Sequence, residues 1–175
     1  MGDLFQQVND DQDIIKKLIG KIPGFKGYVE RENRRASDKV LRELIAQRYE
    51  EAWKRVSSLQ RDLVREGELL LVGDLESAAL KLRQFSDRIK TATYGYSGFF
   101  DAVKINEDEL KSIYEYDLLL MNSAEVISQA IDHVETSIGG DGLPAAVRNL
   151  TSQAQESVDL YNRRSEVFLS FGEQQ

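Results

Sequence analysis

The stretch Ile105–Ile138, INEDELKSIYEYDLLLMNSAEVISQAIDHVETSI, decides the fold. Leu110, Ile113, Asp117, Leu120, Ala124, Ile127, Ile131, Val134 and Ile138 advance by alternating steps of three and four. That spacing puts them on one stripe of an α-helix with a partner along its whole length. Asn106 and Glu109 have the spacing of a capping box, and Ile105 and Leu110 that of a hydrophobic staple. Gly139-Gly140 marks the end.

Toward the C-terminus, Pro144 lies in the first turn of a last helix with the seam Val147, Leu150, Ala154, Val158, Tyr161, Ser165 and Phe168. Toward the N-terminus, residues 74–93 form a helix with the seam Leu75, Ala78, Leu82, Phe85, Ile89, continuing to Ala92 and Tyr96. Residues 28–66 contain no Gly or Pro and carry the seam Leu41, Ile45, Arg48, Ala52, Val56, Leu59, Leu63, Glu66, Leu70. At 1.5 Å per residue this helix reaches about 58 Å and is expected to project beyond the others. Glu30–Arg34, Asp38–Arg42, Glu50–Lys54 and Glu51–Arg55 are acid-before-base pairs suited to its solvated face. The phase slips between Gly67 and Gly73, which predicts a turn there; continuous helix through Leu69–Val72 is the alternative. A short first helix spans 3–19 and is ended by Gly20 and Pro23-Gly24. The expected fold is all-α, an antiparallel helical bundle of four long helices plus a short N-terminal helix. It forms a single domain over 1–175, with 1–27 as the short helix and Pro-Gly turn and 28–175 as the bundle.

Composition closes several chemistries. The 175 residues include no cysteine and one histidine, His133. Disulfides, thiol nucleophiles and two-histidine zinc sites are therefore excluded. A Glu-x-x-His metal pair at His133 needs Glu at 130, where the chain has Ala130. No cofactor and no metal are expected. The net charge is −7, distributed as −4 over residues 1–13, +6 over 14–66 and −9 over 67–175. The acidic second half argues against nucleic acid, which needs a concentrated basic face. The N-terminus lacks a basic-then-apolar leader and the longest apolar runs, Leu69–Val72 and Leu118–Met121, are four residues each, so a soluble, cytoplasmic protein is expected.

Three places are candidate sites. Asp117 is the one acid in the apolar seam, and burial requires it to find a partner such as Arg83, Arg88, a tyrosine hydroxyl or water. A polar layer fixing helix register outweighs a catalytic acid, since one acid does not make a mechanism; no catalytic residue is assigned. Tyr94, Tyr96, Phe99 and Phe100 crowd four of the chain's 15 aromatics into seven residues with Gly95 and Gly98 between them. That reads as a tight turn, either plugging the end of the bundle or, with Phe25, Lys26 and Tyr28, presenting a partner-binding surface. Residues 14–28 hold Lys16, Lys17, Lys21 and Lys26 among large apolar groups and no acid, a combination that suits an anionic membrane surface; a helix packed on the bundle with its lysines in water is the plainer reading.

The segments Pro23-Gly24-Phe25-Lys26-Gly27-Tyr28, Arg34-Arg35, Asp38-Lys39 before Leu41-Arg42, Tyr94–Phe100 running into Asp101-Ala102-Val103-Lys104, and Tyr114-Glu115-Tyr116-Asp117 together resemble a family of uncharacterised bacterial helical, coiled-coil-like proteins over residues 20–120. The resemblance implies a bacterial, cytoplasmic protein and transfers no catalytic residue. The function expected is that of a non-enzymatic scaffold or adaptor that binds another protein or a second copy of itself. A peripheral protein at the inner membrane face is the first alternative, and an enzyme or ligand carrier built around Asp117 the second.

Overall fold

The computed structural model describes residues 14–22, 25–26, 34–102 and 107–173. Side chains are described for these residues except 34–38, 92–102, 107, 110, 168 and 171–173. A short helix α1 (residues 14–21) precedes four long ones: α2 (Arg34–Glu66), α3 (Leu69–Ala102), α4 (Glu107–Ser137) and α5 (Leu143–Glu173). Their 33, 34, 31 and 31 residues correspond to about 46–51 Å each. The all-α bundle expected from the heptad seams is what forms. Over its described residues α2 is no longer than its neighbours; residues 28–33, the remainder of the helix expected to project, lie outside the described residues.

Two helical hairpins build the bundle. In the first, α2 and α3 run antiparallel, tied by Gln60 to Glu76 at 2.5 Å and by Ser86 donating to the Ala46 carbonyl at 2.9 Å. In the second, α4 and α5 are joined by Ser123 and Ser157 at 2.6 Å and by Arg164 and Asp117 at 2.7 Å. The hairpins then pack with like-directed helices side by side. Tyr49 and Arg55 of α2 meet Leu120 and Ser128 of α4, and Asp74 and Arg88 of α3 meet Thr151 and Asn162 of α5, so both cross-hairpin pairs run parallel. Helices α3 and α4, consecutive in the chain, lie diagonally opposite.

The turn predicted between Gly67 and Gly73 is confined to Gly67-Glu68, and Leu69–Val72 already belong to α3. Gly67 has φ +81°, and two hydrogen bonds close the helix end: Glu68 N to Leu63 O at 2.9 Å and Gly67 N to Val64 O at 3.2 Å. This pair of bonds is the Schellman motif. Gly73 sits inside the helix. The aromatic stretch Tyr94–Phe100 was expected as a turn and is instead helical, because α3 continues to Ala102. Gly95 and Gly98 weaken a helix by about 1 kcal/mol each but, unlike proline, remove no backbone donor, so the helix passes through them. The capping residues Ile105 and Asn106, and the first helix before residue 14, lie outside the described residues.

Within the core, the seams of α3 and α4 are as expected: Leu75, Ala78, Leu82, Phe85 and Ile89 are buried, as are Ile113, Asp117, Leu120, Ala124, Ile127, Ile131 and Val134. On α2, Tyr49 rather than Arg48 turns inward, and Leu70 is 93 % exposed because the helix has ended before it. On α5 the buried line is Val147, Leu150, Ala154, Ser157, Tyr161 and Arg164, with the expected Val158 and Ser165 only half-buried. Among the described residues no helix is long and apolar enough to cross a membrane.

Two glycines test the turn assignment with opposite signs. A Cβ at either Gly67 or Gly73 meets nothing within 4 Å, so sterics from neighbours do not enter. Gly67→Ala forces a left-handed residue and is expected to lower stability by about 1–2 kcal/mol. Gly73→Ala in the helix interior is expected to raise it by about 0.5–1 kcal/mol. Urea titrations followed by circular dichroism check both. The hairpin also carries an acid-sensitive link. The Lys54 ammonium of α2, and with it Lys90 of α3, hold the Glu50 carboxyl at about 2, down from its ordinary 4.5. A depressed folded-state pKa means that the contribution is present above about 4.5 and lost as pH falls through about 2. The difference in melting temperature between the native chain and Glu50→Gln should therefore shrink across that window, and a difference independent of pH would count against the link.

Candidate functional site

The polar groups of the core gather in one half of the bundle. Toward Gly67 the interior is apolar, formed by Val56, Leu59, Leu63, Leu75, Ile131, Val134, Leu143, Val147 and Leu150. The buried polar residues Arg42, Ser86, Asp117, Ser157 and Arg164 all lie in the other half. Asp117 and Arg164 are 0 % and 1 % exposed and form a two-pronged pair, Nε to Oδ1 at 2.7 Å and Nη2 to Oδ2 at 3.3 Å. Planar guanidinium and carboxylate match in this geometry, which a lysine cannot reproduce.

One turn along α4, the Tyr49 hydroxyl donates to the Leu120 carbonyl at 3.2 Å. Ser157 donates to the Gln153 carbonyl at 3.0 Å, which leaves Ser123 to donate to Ser157. Burial pushes the Tyr49 phenol above its usual range, with hydrogen bonds to Ser123 and Ser157 acting in the other direction. Beside this network Tyr49 and Phe85 approach with centroids 4.2 Å apart, Phe85 meets Tyr161 edge-on at 5.1 Å, and the Arg88 guanidinium covers Tyr161 at 5.0 Å. The arrangement joins all four long helices at one level. Its carboxylate is closed against Arg164 and has no exposed surface, so what it does chemically is fix the register of α4 against α5.

The partner of Asp117 is thus Arg164, not Arg83 or Arg88. Arg83 stacks over Trp53 at 5.7 Å, and Arg88 binds Asn162 at 3.1 Å. Arg164 was legible in principle. The line 147, 150, 154, 157, 161, 164 keeps the alternation of three and four without a break, and choosing apolar Val158 over Ser157 diverts the reading from it.

The other candidates are scattered. Phe25 is fully buried, edge-on to Tyr114 at 6.2 Å, so it contributes to the core and not to an outward surface in this state. Lys26 is exposed. Tyr28 lies outside the described residues, as do the side chains of Tyr94, Tyr96, Phe99 and Phe100. Of the lysines considered for a membrane, Lys16 and Lys17 are exposed, whereas Lys21 binds Glu125 of α4 at 2.7 Å. The apolar groups between them are turned inward: Leu18 and Ile22 are buried. His133 is exposed, and no three metal-ligating side chains cluster among the described residues.

A groove of about 390 Å³ runs between the parallel helices α2 and α4. Its floor includes Ala52, Met121, Ala124 and Ile131, and Arg48 and Glu125 stand on its rim. Arg55 closes one end by binding Ser128 at 3.0 Å, Asp132 at 2.5 Å and Glu135 at 3.0 Å; the expected helical pair with Glu51 gives way to these bonds between helices. Large apolar side chains also stand in solvent, with Val64, Leu69 and Leu70 at the tip of the first hairpin and Leu119 and Val126 on α4. Compared with family models, with curated proteins and with solved structures, the chain matches none.

The buried pair generates a double-mutant test. Asp117→Leu or Arg164→Met alone leaves one charge buried without its partner and is expected to cost about 3–5 kcal/mol. The double substitution removes both charges and is expected to recover most of that loss. Denaturant titrations of the three variants measure the coupling, and additive losses would show that the two side chains do not act as a pair.

Proposed function

We propose that the protein is a non-enzymatic helical scaffold or adaptor that acts through protein–protein contact. The observation that carries this reading is the placement of large apolar side chains on rigid helical surfaces. Leu69 and Leu70 are 66 % and 93 % exposed at the hairpin tip, and Leu119 and Val126 are 49 % and 42 % exposed on α4. Apolar groups held on a stiff frame in water suit a partner that covers them. The reading built around Asp117 has less support, because the carboxylate that a substrate would need is sealed against Arg164. The membrane reading needs the apolar groups of residues 14–28 to face outward, and Leu18, Ile22 and Phe25 are committed to the core. A bacterial, cytoplasmic setting is part of the proposal and rests on the resemblance of residues 20–120.

Light scattering of the full chain across micromolar concentrations is the test. A species heavier than 19.9 kDa is expected. A chain that stays at 19.9 kDa, and that sediments with anionic vesicles at low salt, would overturn the proposal in favour of the membrane surface.

A further inference from the structure

We propose that the outer face of α4 docks a second copy of the chain, with the two α4 helices antiparallel across a two-fold axis at Asn122. The proposal rests on the scaffold reading and names the face and the partner. Glu115, Leu119, Asn122, Val126, Gln129 and His133 are all exposed and follow one another at steps of three and four, so they form a single stripe along the helix, away from the buried seam. Exposed acids, Glu125, Asp132 and Glu135, flank the stripe on α4, and single aliphatic side chains also stand in solvent on α3 at Leu80 and on α5 at Leu169. The α4 stripe contains no lysine or arginine and two aliphatic side chains.

Its order singles out the partner. From Glu115 to Gln129 the stripe reads polar, aliphatic, amide, aliphatic, polar, nearly the same in both directions. Turning a second copy about Asn122 sets Leu119 against Val126 of that copy, Glu115 against Gln129, and Asn122 against itself. Each Asn122 amide both donates and accepts, so the two exchange hydrogen bonds on the axis, while Gln129 donates to the Glu115 carboxylate. An interface built on a two-fold axis requires this kind of self-complementarity. A parallel alignment stacks Glu115 on Glu115, a like-charge contact that the antiparallel one avoids. From 115 to 133 the stripe is about 27 Å long and one helix wide. That is below the size of a standard specific interface, so a weak, transient dimer is expected. Each copy carries −7, and added salt screens their mutual repulsion and strengthens the dimer.

The native chain has no cysteine, so one introduced thiol reports geometry without interference. In the full chain under mild oxidation, Asn122→Cys is expected to form a disulfide-linked dimer. Leu119→Cys and Val126→Cys are expected to cross-link when mixed and to remain largely uncoupled when alone. The double variant Leu119→Glu with Val126→Glu is expected to scatter as 19.9 kDa with unchanged helical circular dichroism, since both side chains are exposed within the bundle. Leu119→Cys coupling to itself as readily as to Val126→Cys overturns the antiparallel arrangement. A heavy species in which Asn122→Cys does not couple removes this face and leaves the scaffold reading standing, whereas 19.9 kDa at every concentration removes the dimer, and vesicle sedimentation then decides the scaffold reading.

Discussion

The carboxylate of Asp117 and the guanidinium of Arg164 meet across the second hairpin where neither is exposed, and the relative placement of α4 and α5 depends on that meeting. Moving either charge from water into the core costs several kcal/mol, and a partner at hydrogen-bonding distance offsets the loss. A slip of one heptad brings Arg164 opposite Ala124 or Leu110, and the buried two-pronged pair is lost. The apolar layers nearer Gly67 have no such discrimination, because Ile127, Ile131 and Val134 pack against many neighbours of similar size. Stability is therefore spread along the whole bundle, whereas register is concentrated in its polar half. Ser123–Ser157 and Tyr49 with the Leu120 carbonyl extend the same constraint toward α2.

The heptad seams made the fold legible because packing against a neighbour is the strongest regular demand that a long helix places on its sequence. Asp117 was visible as the odd member of its seam, and its burial follows from position alone. Its partner was hidden by chemistry. Arg164 and Ser157 hold seam positions on α5, yet a search for apolar residues passes over them for Val158 and Ser165. Tyr49 beside Arg48 repeats the lesson on α2, where the aromatic ring goes inward and the cation stands in water. Glycine was the other source of error. Gly67 takes φ +81° and ends a helix, whereas Gly73, Gly95 and Gly98 are carried within α3. Residue type alone does not separate these cases, because the difference lies in whether packing on both sides continues the same seam.

Nor does a seam say which helices become neighbours. Periodicity shows that each helix has an apolar stripe, and short loops place α2 beside α3 and α4 beside α5. The parallel pairing of α2 with α4 and of α3 with α5 is a choice made between hairpins. Its contacts come from residues whose partners the sequence does not indicate: Arg55 reaching Ser128, Asp132 and Glu135, and Arg88 reaching Asn162. These bonds are partly solvated and contribute modestly one by one. They act over a second interface whose small residues, Ala52 and Ala124 among them, leave the groove between α2 and α4.

Helix α4 thereby serves three surfaces at once. One stripe carries Asp117 and the core, a second flank supplies Ser128 and Asp132 to α2 and Glu125 to Lys21 of α1, and the third faces water. The first two hold α4 against α5, α2 and α1, which keeps the third stripe straight and its side chains at constant spacing. A surface with that rigidity loses little conformational freedom when another helix is laid on it, so even a short stripe containing Leu119, Asn122 and Val126 can select an orientation. The same burial that makes Asp117 a poor candidate for chemistry thus stiffens the opposite face of its helix, on which the proposed contact with a second copy rests.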